Sequence, residues 1–245
     1  ALASVMLVGM MSVGASAVNA SDFTDADEIV NKDAVSTMTA LGIINGKEDG
    51  SYFDPTGNVT RAEMAKMLCV AINGGVDPVL GVKDTPTFTD IKGTWAESYI
   101  EYCAANGIIA GRGNNKFDPT GTVSATEAAK MLLGVLGYSA EKSGLVGNDW
   151  AINTNVLANQ NGLYKKLSNL NANTLLTRDN AAQMIYNALD ANMVELNAAG
   201  NYTTSQYSYT GTESVVTGTE RVWVLTIKEN NCTDSGIKAA VDALS

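Results

Sequence analysis

The sequence predicts a mainly α-helical fold built from three copies of one helix-loop-helix unit, and three features carry that prediction. The first is a long internal repeat. "FTDADEIVNKDAVSTMTALGIINGKEDGSYFDPTGNVTRAEMAKML" from Phe23 returns as "FTDIKGTWAESYIEYCAANGIIAGRGNNKFDPTGTVSATEAAKML" from Phe88, one residue shorter in its loop. The second is apolar residues at helical spacing within each copy. The third is a helix-start signature at the same point of both.

In the second copy Trp95, Tyr99, Ile100 and Cys103 mark an amphipathic helix, which Gly107 ends as a left-handed cap. Ile108 and Ile109 then enter the core. A turn-rich loop follows, in which Pro119 and Gly121 set backbone angles that ordinary residues resist. The next helix opens with a capping box: the Thr60 hydroxyl accepts from the N–H of Glu63 while the Glu63 carboxylate reaches back to the N–H of Thr60. Ser124 and Glu127 repeat the arrangement. Behind the box, Met64, Met67, Leu68 and Ile72 form an apolar stripe, as do Met131, Leu132 and Val135, and both stripes read as core.

A third copy is weaker. In "WAINTNVLANQNGLYKKLSNLNANTLLTRDNAAQMIYNAL", Trp150 precedes Gly162 by 12 residues, as Trp95 precedes Gly107. This copy lacks the Phe-Thr-Asp opening and the Phe-Asp-Pro-Thr-Gly turn. The copies also differ at the helix start. Arg61 becomes Ala125 in the second copy, which keeps the box; Arg178 is kept in the third, where Asn180 replaces the glutamate. The cap does not use Arg61, which is expected to point outward from a first turn whose dipole disfavours a cation. Arginine and cap are separable, as for an arginine with its own task. A surface pairing with a carboxylate such as Asp54 or Asp179 is the alternative.

Composition excludes several classes. A chain of 245 residues that is 45% hydrophobic and 17% charged can bury a core, as one large domain or two ordinary ones. A net charge of -10 repels nucleic acid and anionic membranes, so an anionic ligand has to be held by local cations. The absence of histidine removes the commonest general base and most zinc sites. No cofactor or metal site is expected. "NGKEDGSYFDPT" fits an EF-hand loop at Asn45, Asp49 and Gly50, but Lys47 and Thr56 stand where acids are needed. No two carboxylates are forced together as in a glycosidase pair, so no catalysis is expected. The three cysteines, Cys69, Cys103 and Cys232, form no CxxC and read as buried thiols.

Residues 1–20 carry no charge, are apolar from Val5 to Val13 and end in small residues, the pattern of an N-terminally incomplete signal peptide cleaved after Ala17 or Ala20. Repeats are expected at 21–80, 81–142 and 143–198, followed by a Thr/Ser/Tyr-rich linker or β-rich surface at 199–220. "RVWVLTI" has strand character and places the start of a truncated β-containing region at 221–245.

Phe-Thr-Asp, Trp-Ala, Gly-Ile-Ile-x-Gly, Phe-Asp-Pro and Val-Thr-Arg-Ala-Glu together resemble the S-layer homology (SLH) domain, over about residues 23–196. The resemblance implies a pseudo-threefold helical prism with one helix of each repeat in a central three-helix bundle. It implies export by a bacterium and non-covalent anchoring, at the cell wall or surface layer, to secondary cell-wall polysaccharide attached to peptidoglycan. The group recognised in many members is a pyruvate ketal on N-acetylmannosamine, held in grooves between repeats. It implies no stable membrane insertion and leaves room for self-association in a surface layer.

A ketal carboxylate suits a guanidinium fork beside free backbone donors at a helix start, and a sugar ring suits an aromatic wall. Carried over by position, the implied ligand-binding residues are Arg61 and Arg178, with Thr60 and Thr177 beside them; Trp95 and Trp150; the loop glycines Gly46 and Gly111; and Asp25 and Asp90 of the opening. Core packing is an equal reading of the two tryptophans. Ala125 removes the fork from the second copy, and the groove it serves is expected to be silent or structural. Val30 removes the aromatic from the first copy. The alternatives are an S-layer or outer-membrane protein whose repeats tether a β-rich body, and the anchor of a surface glycan-degrading enzyme.

Overall fold

The computed structural model describes residues 19–167 and 173–204 and two short strands at 207–209 and 227–229. It forms two compact units, Val18–Ala191 and Ala1–Ala17 with Asn192–Ser245. The first holds six helices: α1 (Lys32–Ala40), α2 (Arg61–Ile72), α3 (Glu97–Ala105), α4 (Ala125–Val135), α5 (Trp150–Gln160) and α6 (Arg178–Leu189). The second holds β1 (Val194–Leu196) paired antiparallel with β2 (Tyr202–Thr204), and β3 (Tyr207–Tyr209) paired antiparallel with β4 (Ile227–Glu229). The fold is mainly α. Segment 199–220 thus contributes strands at 202–204 and 207–209; most of the 221–245 region lies outside the described residues, as does the expected signal segment up to Val18. Ala20 is buried and gives its N–H to Ser36 Oγ at 2.9 Å, so cleavage after Ala17 keeps this contact and cleavage after Ala20 removes it.

Local signals form as the sequence predicts. Gly42, Gly107 and Gly162 follow α1, α3 and α5 at φ +69°, +69° and +71°, so each first helix ends on a left-handed glycine. Both capping boxes are made, with Glu63 N–H on Thr60 Oγ1 and Glu127 N–H on Ser124 Oγ, each at 3.2 Å. Thr177 accepts from the N–H of Asn180 at 3.2 Å.

The repeats interlock in a ring. Each second helix packs on the first helix of the next repeat, α2 on α3, α4 on α5 and α6 on α1, and α4 also touches α2 and α6. At the start of the second helices the backbone closes a three-membered cycle. Val59 donates to Leu176 O at 2.9 Å, Leu176 to Val123 O at 2.9 Å, and Val123 to Val59 O at 3.0 Å. All three side chains are fully buried, so these backbone groups need one another rather than water. This cycle is the pseudo-threefold axis.

The helix starts are closed as well. Arg61 and Ala62 give their N–H groups to Gly121 O and Pro119 O of the second repeat's turn, at 2.8 and 3.0 Å. Arg178 and Asp179 give theirs to Gly57 O and Pro55 O of the first, at 2.9 and 3.1 Å, and Ala125 gives its own to Thr174 O at 2.9 Å. The donors expected to be free for an anion are therefore taken by the next repeat.

Candidate functional site

Arg61 and Arg178 do not point outward. They are 3% and 4% exposed, and their guanidinium groups bond backbone carbonyls of the neighbouring repeat. Arg61 Nε donates to Phe117 O at 2.8 Å and Nη2 to Ala110 O at 2.7 Å. Arg178 makes the same pair to Phe53 O and Asn45 O, each at 2.7 Å. Their planes lie 4.4 Å and 5.0 Å from the ring centroids of Phe117 and Phe53, which are in turn 5.5 Å and 5.2 Å from the rings of Phe88 and Phe23. Each arginine is a clamp closing a stack over the Phe-Thr-Asp and Phe-Asp-Pro segments of the next repeat. Burial pushes both guanidinium pKa values down, opposed by Glu127 near Arg61 and by Glu63 near Arg178.

This arrangement explains Ala125. The helix it begins faces the third repeat, which has neither Phe-Thr-Asp nor Phe-Asp-Pro, so an arginine there would lack the phenylalanine stack and turn that its counterparts clasp. Ala125 is itself 2% exposed.

The other expected ligand residues near the loops also hold the repeats together. Asp25 accepts from the N–H groups of Phe53 and Asp54 at 2.9 and 2.7 Å, and Asp90 from those of Phe117 and Asp118 at 2.9 and 2.8 Å. Partial burial works to raise the Asp90 pKa, but those two backbone donors outweigh it and hold the carboxyl below the usual range. Asp90→Asn, which keeps one acceptor of two, should cost about 1–3 kcal/mol at neutral pH. Because the folded pKa is depressed, the contribution is present above the unfolded value of about 3.9 and is lost as pH falls through the folded one, so acid titration of unfolding should show variant and wild type converging at low pH. Gly46 and Gly111 close the loops: a Cβ would come within 2.3 Å of Gly50 O and 2.6 Å of Lys116 O. Thr60 and Thr177 are caps.

The tryptophans behave differently, and neither is a core residue. Trp95 is 60% exposed, and Trp150 is partly exposed and lines a cleft. They mark two of three seams of different chemistry. At the α2/α3 seam, Lys66 lies 5.4 Å from the Tyr99 ring and is neutralised by Asp77 at 2.9 Å. At the α6/α1 seam, Gln183 takes the lysine's place, and Asp179 accepts from the N–H groups of Val30 and Asn31 and from Asn31 Nδ2 at 3.2, 3.0 and 2.6 Å, with no aromatic residue at Val30.

The α4/α5 seam holds an open cleft of about 330 Å3, lined by Trp150, Arg112, Ser124, Thr126, Glu127 and Asn173 among others. This is the seam that begins at Ala125, so the groove expected to be silent or structural contains open space. Lys130, one helical turn beyond Thr126, stands 5.2 Å over the Trp150 ring and enters no ion pair among the described residues. Burial first, then the charge of Arg61, pushes its pKa down, against the opposing pull of Glu141. Arg112 donates to Glu127, to Asp118 and to Thr122 O, with its side chain 36% exposed. Burial works to raise the Glu127 pKa, but the Ser124 N–H and Arg112 hold it low. The lining of the cleft thus includes the Arg112–Glu127 charge pair and the Trp150 indole, whose ring lies 5.2 Å from the Lys130 ammonium. Neither Arg112 nor Lys130 stood out in the sequence; the signal available was a lysine retained at 66 and 130 inside the apolar stripe.

The family model of the S-layer homology domain matches residues 22–65 and 87–129, each running from the opening of a repeat into its second helix. The chain is 30% identical over 113 residues to an S-layer protein of Bacillus licheniformis, covering 46% of this chain and 12% of that one. It is 30% identical over 149 residues to endo-1,4-beta-xylanase A of Thermoanaerobacterium saccharolyticum, covering 57% and 12%. It is 28% identical over 156 residues to exoglucanase XynX of Acetivibrio thermocellus, covering 60% and 14%. The chain therefore spans only a small part of the length of the curated relatives it matches. Relatives with different names match parts of this chain, and residues 22–65 and 87–129 are S-layer homology domain repeats.

Proposed function

We propose that the Val18–Ala191 unit is a non-catalytic anchor that holds an exported protein at the bacterial cell surface by binding an anionic cell-wall polysaccharide in the α4/α5 cleft. The observation that carries the reading is Lys130, which enters no ion pair among the described residues, standing over the partly exposed indole of Trp150, which lines an open cleft. A sugar ring presents an apolar face to the indole, and a sugar-borne carboxylate, such as a pyruvate ketal, supplies the charge Lys130 lacks. Asn173 and Thr126, whose hydroxyl donates to Asn155 Oδ1 at 3.1 Å, line the same cleft. A similarity shared with S-layer proteins and with polysaccharide-degrading enzymes supports an anchor that serves different cargoes. No helix among the described residues is long and apolar enough to cross a membrane.

Sedimentation of the full chain with Gram-positive sacculi tests this. The chain should pellet with intact sacculi and stay in solution with sacculi stripped of secondary polymer by hydrofluoric acid. Equal pelleting with both would move recognition to peptidoglycan, and no pelleting with either would remove the anchoring role. A tether for a β-rich surface body remains the second reading, favoured by the paired strands after Asn192.

A further inference from the structure

Cys69 on α2 and Cys103 on α3 lie with their sulfurs 3.4 Å apart, in direct contact across the seam between the first and second repeats. They are 1% and 0% exposed and unbonded. Cys69 Sγ also lies 3.5 Å from Tyr99 O and Cys103 Sγ 3.7 Å from Ala65 O, so each thiol reaches the backbone of the opposite helix. In the repeat register the same two positions hold Leu133 and Ala158 at the α4/α5 seam and Tyr186 and Met38 at the α6/α1 seam. Residues other than cysteine stand at these positions in both other seams, so packing alone does not call for cysteine at both.

We infer that Cys69 and Cys103 are a disulfide site that staples the first repeat to the second once the chain meets a thiol oxidant. The inference is independent of the polysaccharide reading. With a small-molecule disulfide as oxidant, one cysteine thiolate attacks a sulfur of R–S–S–R and expels RS⁻, leaving a mixed disulfide on the protein. The other thiolate then attacks the protein-bound sulfur and expels the second RS⁻. Two protein thiols are oxidised, one R–S–S–R is reduced to two RSH, and the two cysteine protons end on those thiols. The first attack requires α2 and α3 to part locally, because the oxidant cannot reach either sulfur in the closed seam. The second needs no search, since the partner is already in contact. Contact with Cys69, then burial, pushes the Cys103 thiol pKa well up.

The test uses the full chain with Cys232→Ser, which leaves these two thiols alone. After exposure of the folded chain to glutathione disulfide, the protein is denatured with iodoacetamide and its intact mass measured. The expected product takes up no alkyl group, carries no glutathione, yields a linked Cys69–Cys103 peptide, and unfolds at a higher temperature than its reduced form. Adding Cys103→Ser should abolish the crosslink and the thermal difference together. Two alkyl groups, or stable glutathione adducts on both sulfurs, would overturn the inference. So would a crosslink that appears only after helical circular dichroism is lost, or, in the unsubstituted chain, pairing of either cysteine with Cys232.

Discussion

Arg61→Ala and Arg178→Ala are each expected to lower the stability of the repeat unit by about 3–5 kcal/mol, from two lost charge-assisted hydrogen bonds and two carbonyls left without their donor. Each arginine spans from the helix of one repeat to the loop of the next, so its loss loosens a joint of the ring rather than a local turn. Polymer capture should survive below the melting transition, because both side chains are almost wholly inside and their bonded donors face backbone carbonyls and, for Arg61, the Glu127 carboxylate. Urea unfolding of the full chain, followed by helical circular dichroism, reads the first effect, and sacculus sedimentation at low temperature reads the second. Arg61→Lys should rescue only partly, since one ammonium cannot reproduce the fork that reaches Phe117 O and Ala110 O together. An Arg61→Ala chain with an unchanged unfolding midpoint and lost capture would restore the arginine to the ligand and remove the clamp.

Trp150→Ala and Lys130→Met should each weaken capture by roughly tenfold or more, equivalent to about 1.4 kcal/mol or more, with little change in the unfolding midpoint for Lys130→Met, which keeps the apolar stem. Trp95→Ala is the matched control. Its indole is more exposed, but the nearby Lys66 is already paired with Asp77, so a small effect is expected. Added salt should weaken wild-type capture more than that of Lys130→Met. Rising pH should weaken it at values below those expected of an ordinary lysine, because the Lys130 pKa lies under 10.5 and its cation is lost first. Equal losses for Trp95→Ala and Trp150→Ala would spread recognition over both seams, and no loss for either would take it out of the α4/α5 cleft.

A single further joint separates these two classes of residue. Glu127 closes the Ser124 cap, takes Arg112 at 2.8 Å and Arg61 Nη1 at 3.3 Å, and lines the cleft. The clamp of the first repeat and the cleft of the second therefore share one carboxylate. The clamp and the proposed binding cleft are adjacent here without being the same residues.

The local features were legible because they depend on neighbours in sequence. A capping box needs a hydroxyl and a glutamate three residues apart, a left-handed helix end needs glycine, and an amphipathic stripe needs only its period. These determined six helices and their order, and the repeat determined that they would be three versions of one unit. The destination of a long side chain was not legible. Arg61 finds its carbonyls 49 and 56 residues away, and Arg178 finds its own 125 and 133 residues away. A guanidinium at the start of a helix is an outward cation if nothing covers it and a buried clamp if the next repeat does, and only the packed ring decides which. The same holds for the cleft. Ala125 read as a missing arginine fork; in three dimensions it begins the helix that faces the repeat whose sequence lacks Phe-Asp-Pro, next to the space beside Trp150.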